Sequence, residues 1–221
     1  MTRFTAILIA LIFLTGLGCQ NAINKAGREV KYSAWEVVGV QKRDLFKKQV
    51  TQTKENQAET GEAFKDALER LQEVYKFDGG NLEKEYRKLN SAYEDAEKKV
   101  NISKADIAKL ETIASDLFEE WAKEIDQIQS SDLKSRSRQT LAQTKSKYGD
   151  MQKSLKKAEG KMGPVLAKLR DQTLFLKHNL NAKAVASLKV ESARIEKDIA
   201  SLIEDMNKSI SGAEDVIKNL E

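Results

Sequence analysis

The chain has 221 residues, of which 33% are charged and 6% are aromatic, with 11 Gly and a single Pro. This composition favours long helices over sheet and leaves too few aromatic residues for a wide globular core. The formal net charge is +4, but the charges are interspersed, which is typical of solvated helix faces and does not indicate a nucleic-acid partner.

The first predicted element is a signal peptide over residues 1–18. Arg3 provides a positive start, and an uncharged apolar stretch runs from Phe4 to Leu14. This stretch is too short for a membrane span, which needs about 20 residues. Small residues, Gly16 and Gly18, follow where an export signal is cleaved.

The run Leu14-Thr15-Gly16-Leu17-Gly18-Cys19 resembles a bacterial lipobox. The resemblance implies that Cys19 carries diacylglycerol, becomes the mature N-terminus and, with residues 19–24, forms a short tether to the membrane. Gly16 stands where the motif usually has Leu, so the alternative is ordinary cleavage that leaves a free thiol. Cys19 is the single cysteine, which excludes an intramolecular disulfide.

The residue after Cys19 also bears on the predicted location. Gln20 stands where many lipoproteins retained in the inner membrane have Asp. The lipobox resemblance therefore implies an outer-membrane lipoprotein that faces the periplasm of a two-membrane bacterium. Two or three acyl chains would make this anchor stable, whereas one chain alone is marginal.

Residues 25–221 are predicted to form one helical domain, and its first segment is the least regular. Apolar residues recur at helical spacing near the start of the segment (Val30, Ala34, Val37) and near its end (Phe64, Leu68, Leu71, Tyr75). Between them, residues 47–62 are nearly all polar. We expect this stretch to be a solvated helix with a weak seam, and to fray first.

Three breaks divide the domain, and each carries turn and capping residues. The clearest break is Asp78-Gly79-Gly80-Asn81, where two glycines relax the backbone and Asn81 can cap the next helix. The second is Ser130-Ser131-Asp132, and the third is Asn179-Leu180-Asn181 with Asn181 as the cap.

The second and fourth segments follow the helical period with few exceptions. The steps of three and four in the second segment select Leu82, Tyr86, Leu89, Tyr93, Ala96, Val100, Ser103, Ile107, Leu110, Ala114, Leu117 and Trp121. The fourth segment gives Val185, Leu188, Ser192, Ile195, Ile199, Leu202, Met206, Ser209, Ala213, Val216 and Leu220.

The third segment keeps its phase through Gly160, Gly163 and Pro164. We expect one helix kinked at Pro164, because a true break would let the register slip. The alternative is two helices, with Pro164 in the first turn of the second. Its predicted seam is Leu141, Thr144, Tyr148, Met151, Leu155, Ala158, Met162, Val165 and Leu169.

Four segments of similar length joined by short turns predict an all-α fold. At about 1.5 Å rise per residue, each segment would be a rod on the order of 60–75 Å long. Short connections force neighbouring helices to run antiparallel. We therefore predict an elongated up-down-up-down bundle of four long helices with coiled-coil packing.

The run Leu174-Phe175-Leu176-Lys177-His178-Asn179-Leu180-Asn181-Ala182 resembles a family of proteobacterial lipoproteins catalogued as a domain of unknown function. The turn at residues 77–80 and the stretches at residues 38–44, 117–121 and 164–166 are similar to the same family. The resemblance covers essentially the whole mature chain. It implies an all-helical envelope lipoprotein and brings no reaction, cofactor or partner with it.

Catalytic and metal-binding patterns are missing from the sequence. A phosphate-binding loop ends in Gly-Lys-Ser/Thr, which does not occur here. His178 is the only histidine and Phe175 stands three residues before it, so the Glu-x-x-His pairs of a di-iron bundle cannot form. We therefore expect no enzyme, no metal and no cofactor.

A polar corner at the third break is the candidate interaction site. Lys177, His178, Asn179 and Asn181 together could recognise a partner. The structural interpretation is favoured, because cations near a helix C-terminus meet its last carbonyls and asparagines are natural at helix turns. By the same reasoning, Phe118 and Trp121 are predicted to be core rather than a ligand cage.

Two functions remain open from the sequence. The first is a structural or protein-interaction module of the cell envelope, which is held to the membrane by its lipid and contacts an unidentified envelope protein. The second is a helical bundle that opens to bind lipid or another hydrophobic ligand. Because coiled-coil seams also pack between chains, a homo-oligomer stays open under either function.

Overall fold

The computed structural model describes residue 28 and residues 41–220. Within these residues there is no strand, and the chain from residue 42 onward forms five helices. We number them α1 (Lys42–Tyr75), α2 (Leu82–Gln127), α3 (Ser131–His178), α4 (Ala182–Lys189) and α5 (Ser192–Leu220). The predicted signal peptide, Cys19, the tether and the seam residues Val30, Ala34 and Val37 lie outside the described residues.

The helices begin at the predicted capping residues. The side chain of Asn81 accepts a hydrogen bond from the backbone N–H of Lys84 at 3.0 Å, which caps α2. Ser130 caps α3 and Asn181 caps α4 in the same way. Gly79 and Gly80, in the turn before Asn81, have φ angles of 154° and 110°, which favour glycine. All three predicted breaks are confirmed.

The predicted fourth helix is wrong in one respect, because it is divided into α4 and α5. At Val190 and Glu191 the backbone N–H groups bond to carbonyls three residues back rather than four (3.4 and 3.1 Å). Val190 is 82% exposed, so no packing offsets the poor helix propensity of a β-branched residue. Ser192, the seam residue that follows, adds no apolar contact surface and is only half-buried.

The third segment is confirmed as one helix, since α3 continues through Pro164. Its predicted seam is buried at every position from Leu141 to Leu169. The seam of α2 is buried except at Tyr86 and Trp121, which are half-buried. Periodicity therefore identified the buried faces of both helices correctly.

Side-chain contacts show how neighbouring helices are oriented. Between α1 and α2, Glu59 pairs with Lys99 at 2.5 Å, whereas Lys42, earlier in α1, pairs with Glu120, later in α2. One residue number falls as the other rises, so the two helices run antiparallel. The same relation holds for three other helix pairs. The contacts Trp121–Ser137 and Glu111–Gln152 show it between α2 and α3, and the contacts Lys157–Asp205 and Thr144–Asn219 show it between α3 and α5. The contacts Gln72–Glu196 and Lys54–Glu214 show it between α1 and α5.

The buried apolar side chains form two clusters at different levels along the helices. One includes Phe64, Leu71, Leu89 and Met162, near the turn between α1 and α2. The other includes Phe46 and lies toward the start of α1. In this second cluster Phe46, Phe118 and Tyr148 meet edge to face, with ring centroids 5.6–5.7 Å apart.

Candidate functional site

A layer of buried polar side chains lies on α1 between the two apolar clusters. Gln49, Thr53, Gln57 and Thr60 follow the helical spacing of the seam and are at most 3% exposed. Phe46 precedes these four residues, the buried Val50 directly follows the first of them, and Phe64 follows the last. We call these four residues, together with Ser103 and Asp106 of α2, the polar layer.

Hydrogen bonds across the polar layer join α1 to α2. The Gln57 amide donates to the hydroxyl of Ser103 at 2.8 Å, and the Gln49 amide donates to one Asp106 oxygen at 3.3 Å. The amide of Asn56 donates to the other Asp106 oxygen. These bonds depend on which residues face one another, so they favour this register of the two helices over its neighbours.

Two atoms of the polar layer have no hydrogen-bond partner among the described residues. They are the hydroxyl oxygen of Thr53 and the side-chain oxygen of Gln57. Other helical threonines, such as Thr60 and Thr144, donate to the carbonyl four residues back, at 2.6 and 2.9 Å. A buried polar atom without a partner costs about 1–3 kcal/mol, so these two atoms weaken the interior at the polar layer.

The prediction that residues 47–62 form a solvated helix with a weak seam is wrong as to solvation, because one face of this stretch is buried. The error came from counting apolar residues alone. Steps of four, four and three link Gln49, Thr53, Gln57 and Thr60 and lead on to Phe64, so the polar residues keep the seam's phase. The helical spacing of these residues indicates that they are buried, although their polar side chains suggest exposure.

A buried carboxylate lies on α5, next to α3. Asp205 is 2% exposed, with Lys157 at 2.9 Å and Lys161 in closer contact. Desolvation raises the pKa of Asp205, but hydrogen bonds from Lys161 and Lys157 together outweigh it, and the net shift is downward. Lys161 also donates to the hydroxyl of Ser201 at 2.7 Å. This cluster holds a charged carboxylate and joins α3 to α5.

The predicted corner lies where α3 ends and α4 begins. Lys177 and His178 are exposed in the last turn of α3. Asn179 donates from its side chain to the carbonyl of Phe175 at 2.9 Å, and Asn181 caps α4 through the N–H of Ala184 at 3.0 Å. Both asparagines thus have a capping role, while the side chains of Lys177 and His178 are exposed to solvent.

Of the two aromatic residues predicted to lie in the core, Phe118 and Trp121, only Phe118 is buried. Phe118 is buried, and Lys145 lies over its ring with the Lys145 nitrogen 5.7 Å from the centroid. Trp121 is half-buried, and its indole N–H donates to Ser137 at 3.4 Å. Phe118 is therefore core, whereas Trp121 closes the edge between α2 and α3.

The described residues form neither a metal-binding cluster nor a membrane span. Across residues 41–220, His, Cys, Asp and Glu side chains nowhere gather in threes that could hold a metal ion. None of the described helices combines the length and the apolar character needed to cross a membrane.

The sequence comparisons identify the family to which this sequence is similar. A family model described as "Protein of unknown function (DUF2959)" matches residues 31–220. No curated protein matches the chain. The matched range covers every described helix, including the polar layer, the Asp205 cluster and the corner at the end of α3.

Proposed function

We propose that this chain, which belongs to the family described as "Protein of unknown function (DUF2959)", is a lipid-anchored helical bundle of the cell envelope. In this role it is a structural or protein-interaction module, which presents long charged helix faces to an envelope protein. No reaction is assigned to it.

The proposed architecture is an elongated, antiparallel, up-down-up-down bundle with coiled-coil packing, in which α4 and α5 together make the fourth rod. Its support is the antiparallel pairing of α1 with α2, α2 with α3 and α3 with α5, together with the return contact of α5 on α1. Seams that advance in steps of three and four agree with coiled-coil packing. The 48 residues of α3 correspond to a rod of about 72 Å.

The proposed anchor rests on the sequence before the first described helix. A signal peptide at residues 1–18 would direct export, and Cys19 would carry the lipid. With Gln20 next to it, we expect sorting to the outer membrane, facing the periplasm. Mass spectrometry of the chain purified from its membrane should find the acyl mass on a peptide that begins at Cys19. An unmodified thiol there would contradict the anchor.

The interaction role rests on the contrast between the packed interior of the helices and their charged outer faces. Side chains fill the interior along the length of the helices, and the outer faces carry charged pairs at (i, i+3) and (i, i+4), such as Arg87–Glu83 at 2.6 Å and Lys123–Glu119 at 2.8 Å. Such pairs contribute little to stability because they are exposed. What the outer faces offer is extended charged surface, which suits recognition of another protein.

In-cell photocrosslinking tests this role on each rod separately. An exposed alanine is available on each long helix: Ala58, Ala108, Ala142 and Ala200. A photoreactive residue at these positions should capture one envelope protein from one or two neighbouring faces and leave the other faces unreacted. Capture of a second copy would identify a homo-oligomer. Recovery of monomer from all four positions would contradict the interaction role.

The polar layer favours a second candidate function, the binding of lipid or another hydrophobic ligand. Two buried atoms that find no partner in the described part of the chain lower the cost of separating α1 from its neighbours at mid-length. Opening there would expose both apolar clusters. Native mass spectrometry of protein extracted from its own membrane should then find a bound lipid. Protein that is uniformly free of ligand would end this alternative.

A further inference from the structure

Most of the large apolar side chains exposed in the described residues lie at one end of the molecule. Leu174 and Phe175 are each 41% exposed, Leu180 is 43% exposed and Val190 is 82% exposed. The other two, Ile102 and Leu133, lie singly elsewhere. We call residues 172–190 the tip. Clustered exposed apolar residues mark interaction surfaces more reliably than isolated ones.

The four residues lie at similar levels along the helices. The pairs Lys161–Ser201 and Lys168–Asp198 fix the register of α3 against α5. Continued upward, this register puts Val190 near the level of Leu174 and Phe175, with Leu180 in the turn beyond them. From Leu174 to the end of α3 at His178 is about 6 Å of helix rise. At this level the apolar residues lie about one turn before the end of α3 and about 12 Å from the start of α4, which has eight residues.

The tip is also basic. No Asp or Glu lies between Asp171 and Glu191, whereas Lys177, Lys183 and Lys189 are all exposed there, beside His178. The turn between α1 and α2 lies at the same end, because the Tyr75 hydroxyl donates to Gln172 at 3.5 Å. That turn and the first turn of α2 carry two lysines, Lys76 and Lys84, against three acids, Asp78, Glu83 and Glu85. With the three lysines of the tip, five cations stand against three anions at this end, which leaves a net charge of +2.

We propose that the tip docks end-on against a bilayer that contains anionic phospholipid. Leu174, Phe175, Leu180 and Val190 enter the boundary between headgroups and acyl chains, and the three lysines contact lipid phosphates. The rise between these residues and the helix ends, about 6 Å along α3 and about 12 Å along α4, is comparable to the depth of about 5–10 Å that interfacial segments reach. Each lysine close to an anionic surface strengthens binding about fivefold.

Two features favour a bilayer over an acidic protein. The apolar side chains come from three separate segments (the end of α3, the turn after it and the junction of α4 with α5), and a fluid surface needs no matching shape to receive them. The tip also lies at the end of α1 opposite Lys42, where the chain enters the helix. Docking there leaves the long faces free, so this inference goes beyond the proposed interaction role and holds whether or not Cys19 is acylated.

A local fluorescence measurement tests the docking. The full chain carries Cys19→Ser and a single new cysteine, Leu180→Cys, labelled with an environment-sensitive fluorophore. Its emission should shift to the blue on vesicles of phosphatidylglycerol and phosphatidylcholine, and stay unchanged on phosphatidylcholine alone. The matched control is Ile102→Cys, which also replaces an exposed apolar residue but lies at mid-length. This label should respond to neither vesicle.

A charge series completes the test. The triple variant Lys177→Gln/Lys183→Gln/Lys189→Gln should raise the lipid concentration needed for the half-maximal shift at position 180 by about 100-fold, because each of the three lysines contributes about fivefold in affinity. The control triple Lys98→Gln/Lys109→Gln/Lys147→Gln removes equal charge from exposed positions outside the tip and should change it little.

Three outcomes would overturn the proposal. They are no shift at position 180 in a folded chain, an equal shift on both vesicles, and equal loss in both triples. Shielding of position 180 by a lipid-free envelope extract, but not by vesicles, would also overturn it and assign the tip to a protein. Since the readout lies at the tip, failure here leaves the crosslinking test of the long faces unaffected.

Discussion

The two halves of α1 have the same helical spacing and bury opposite chemistry. From Gln49 to Thr60 the buried face carries amides and hydroxyls, and from Phe64 to Tyr75 it carries aromatic and aliphatic side chains. Both halves pack against α2 and α5. Spacing therefore decides which residues are buried, and residue type decides what the burial contributes.

Burial in the two halves is expected to contribute differently to the stability of the folded protein. Burying a large apolar side chain contributes about 1.5–3 kcal/mol. A buried hydrogen bond such as Gln57–Ser103 contributes about 1 kcal/mol net, and each buried atom without a partner costs as much or more. The apolar half of α1 therefore holds the helix in place, while the polar half contributes to its register.

The largest effect should come from the apolar half. Leu71 is fully buried, so Leu71→Ala should lower the free energy of unfolding by about 2–5 kcal/mol through lost burial and the cavity left behind. Urea unfolding followed by helical circular dichroism measures it. As a control, Val190→Ala at an 82% exposed position should stay within about 0.5 kcal/mol. A small loss at Leu71 would mean that this half is not the stronger one.

The Asp205 cluster should give the next largest effect, and it depends on pH. Because the pKa of Asp205 is lowered in the folded protein, its contribution is present above the ordinary carboxyl pKa near 4 and is lost as pH falls through the folded value. At neutral pH Asp205→Asn should cost about 1.5–3 kcal/mol, the range for hydrogen bonds to a charged group.

The matched control for that carboxylate is its neighbour. Glu204 pairs with Lys208 at 2.6 Å on the exposed face, so Glu204→Gln should change stability little. The difference in urea midpoint between the wild type and Asp205→Asn should be smaller at pH 3 than at pH 7, because protonation of Asp205 begins to remove its contribution below the ordinary carboxyl pKa. An equal difference at both pH values would show that the asparagine acts through packing and not through lost charge.

A smaller effect distinguishes polar atoms with and without partners. Thr53 and Thr144 are both buried. Among residues 41–220 the Thr53 hydroxyl has no partner, whereas that of Thr144 donates to Thr140 and accepts from Asn219 at 2.7 Å. Thr53→Val should therefore raise the free energy of unfolding by about 1 kcal/mol, and Thr144→Val should lower it by about 1 kcal/mol. Equal losses in both variants would indicate that Thr53 is satisfied in solution.

The sequence predicted more of the fold than of the interior chemistry. Residues such as Asn81, Ser130 and Asn181 indicate where helices begin, because a cap needs only a short polar side chain at one position. Burial of Gln57 depends on Ser103, which is 46 positions away along the chain, and no local pattern reports such a pairing. The division at Val190 was missed for a related reason, since the heptad phase continues on both sides of it.

The exposed tip was only partly predicted. Lys177 and His178 were identified as an exposed corner by their place before a turn, but their apolar neighbours were not singled out. Periodicity cannot tell whether Leu174 and Phe175 meet another helix, because α3 ends four and three residues later. Their exposure follows from how far α3 extends relative to α5, which is a property of the assembled helices.

The smallest predicted effect compares how closely helices approach at two glycines. A Cβ added at Gly61, beside the polar layer, would lie 3.7 Å from the sulfur of Met206, an ordinary contact. Gly61→Ala should therefore stabilise the protein by about 0.5–1 kcal/mol through helix propensity alone. At Gly212 the added Cβ would lie 3.2 Å from the Cα of Met151, and the backbone of α3 has little room to move. Gly212→Ala should therefore gain less than Gly61→Ala, or lose stability, in the same urea titration. If the two variants gain equally, then α3 and α5 have as much room between them as α1 and α5 have beside the polar layer.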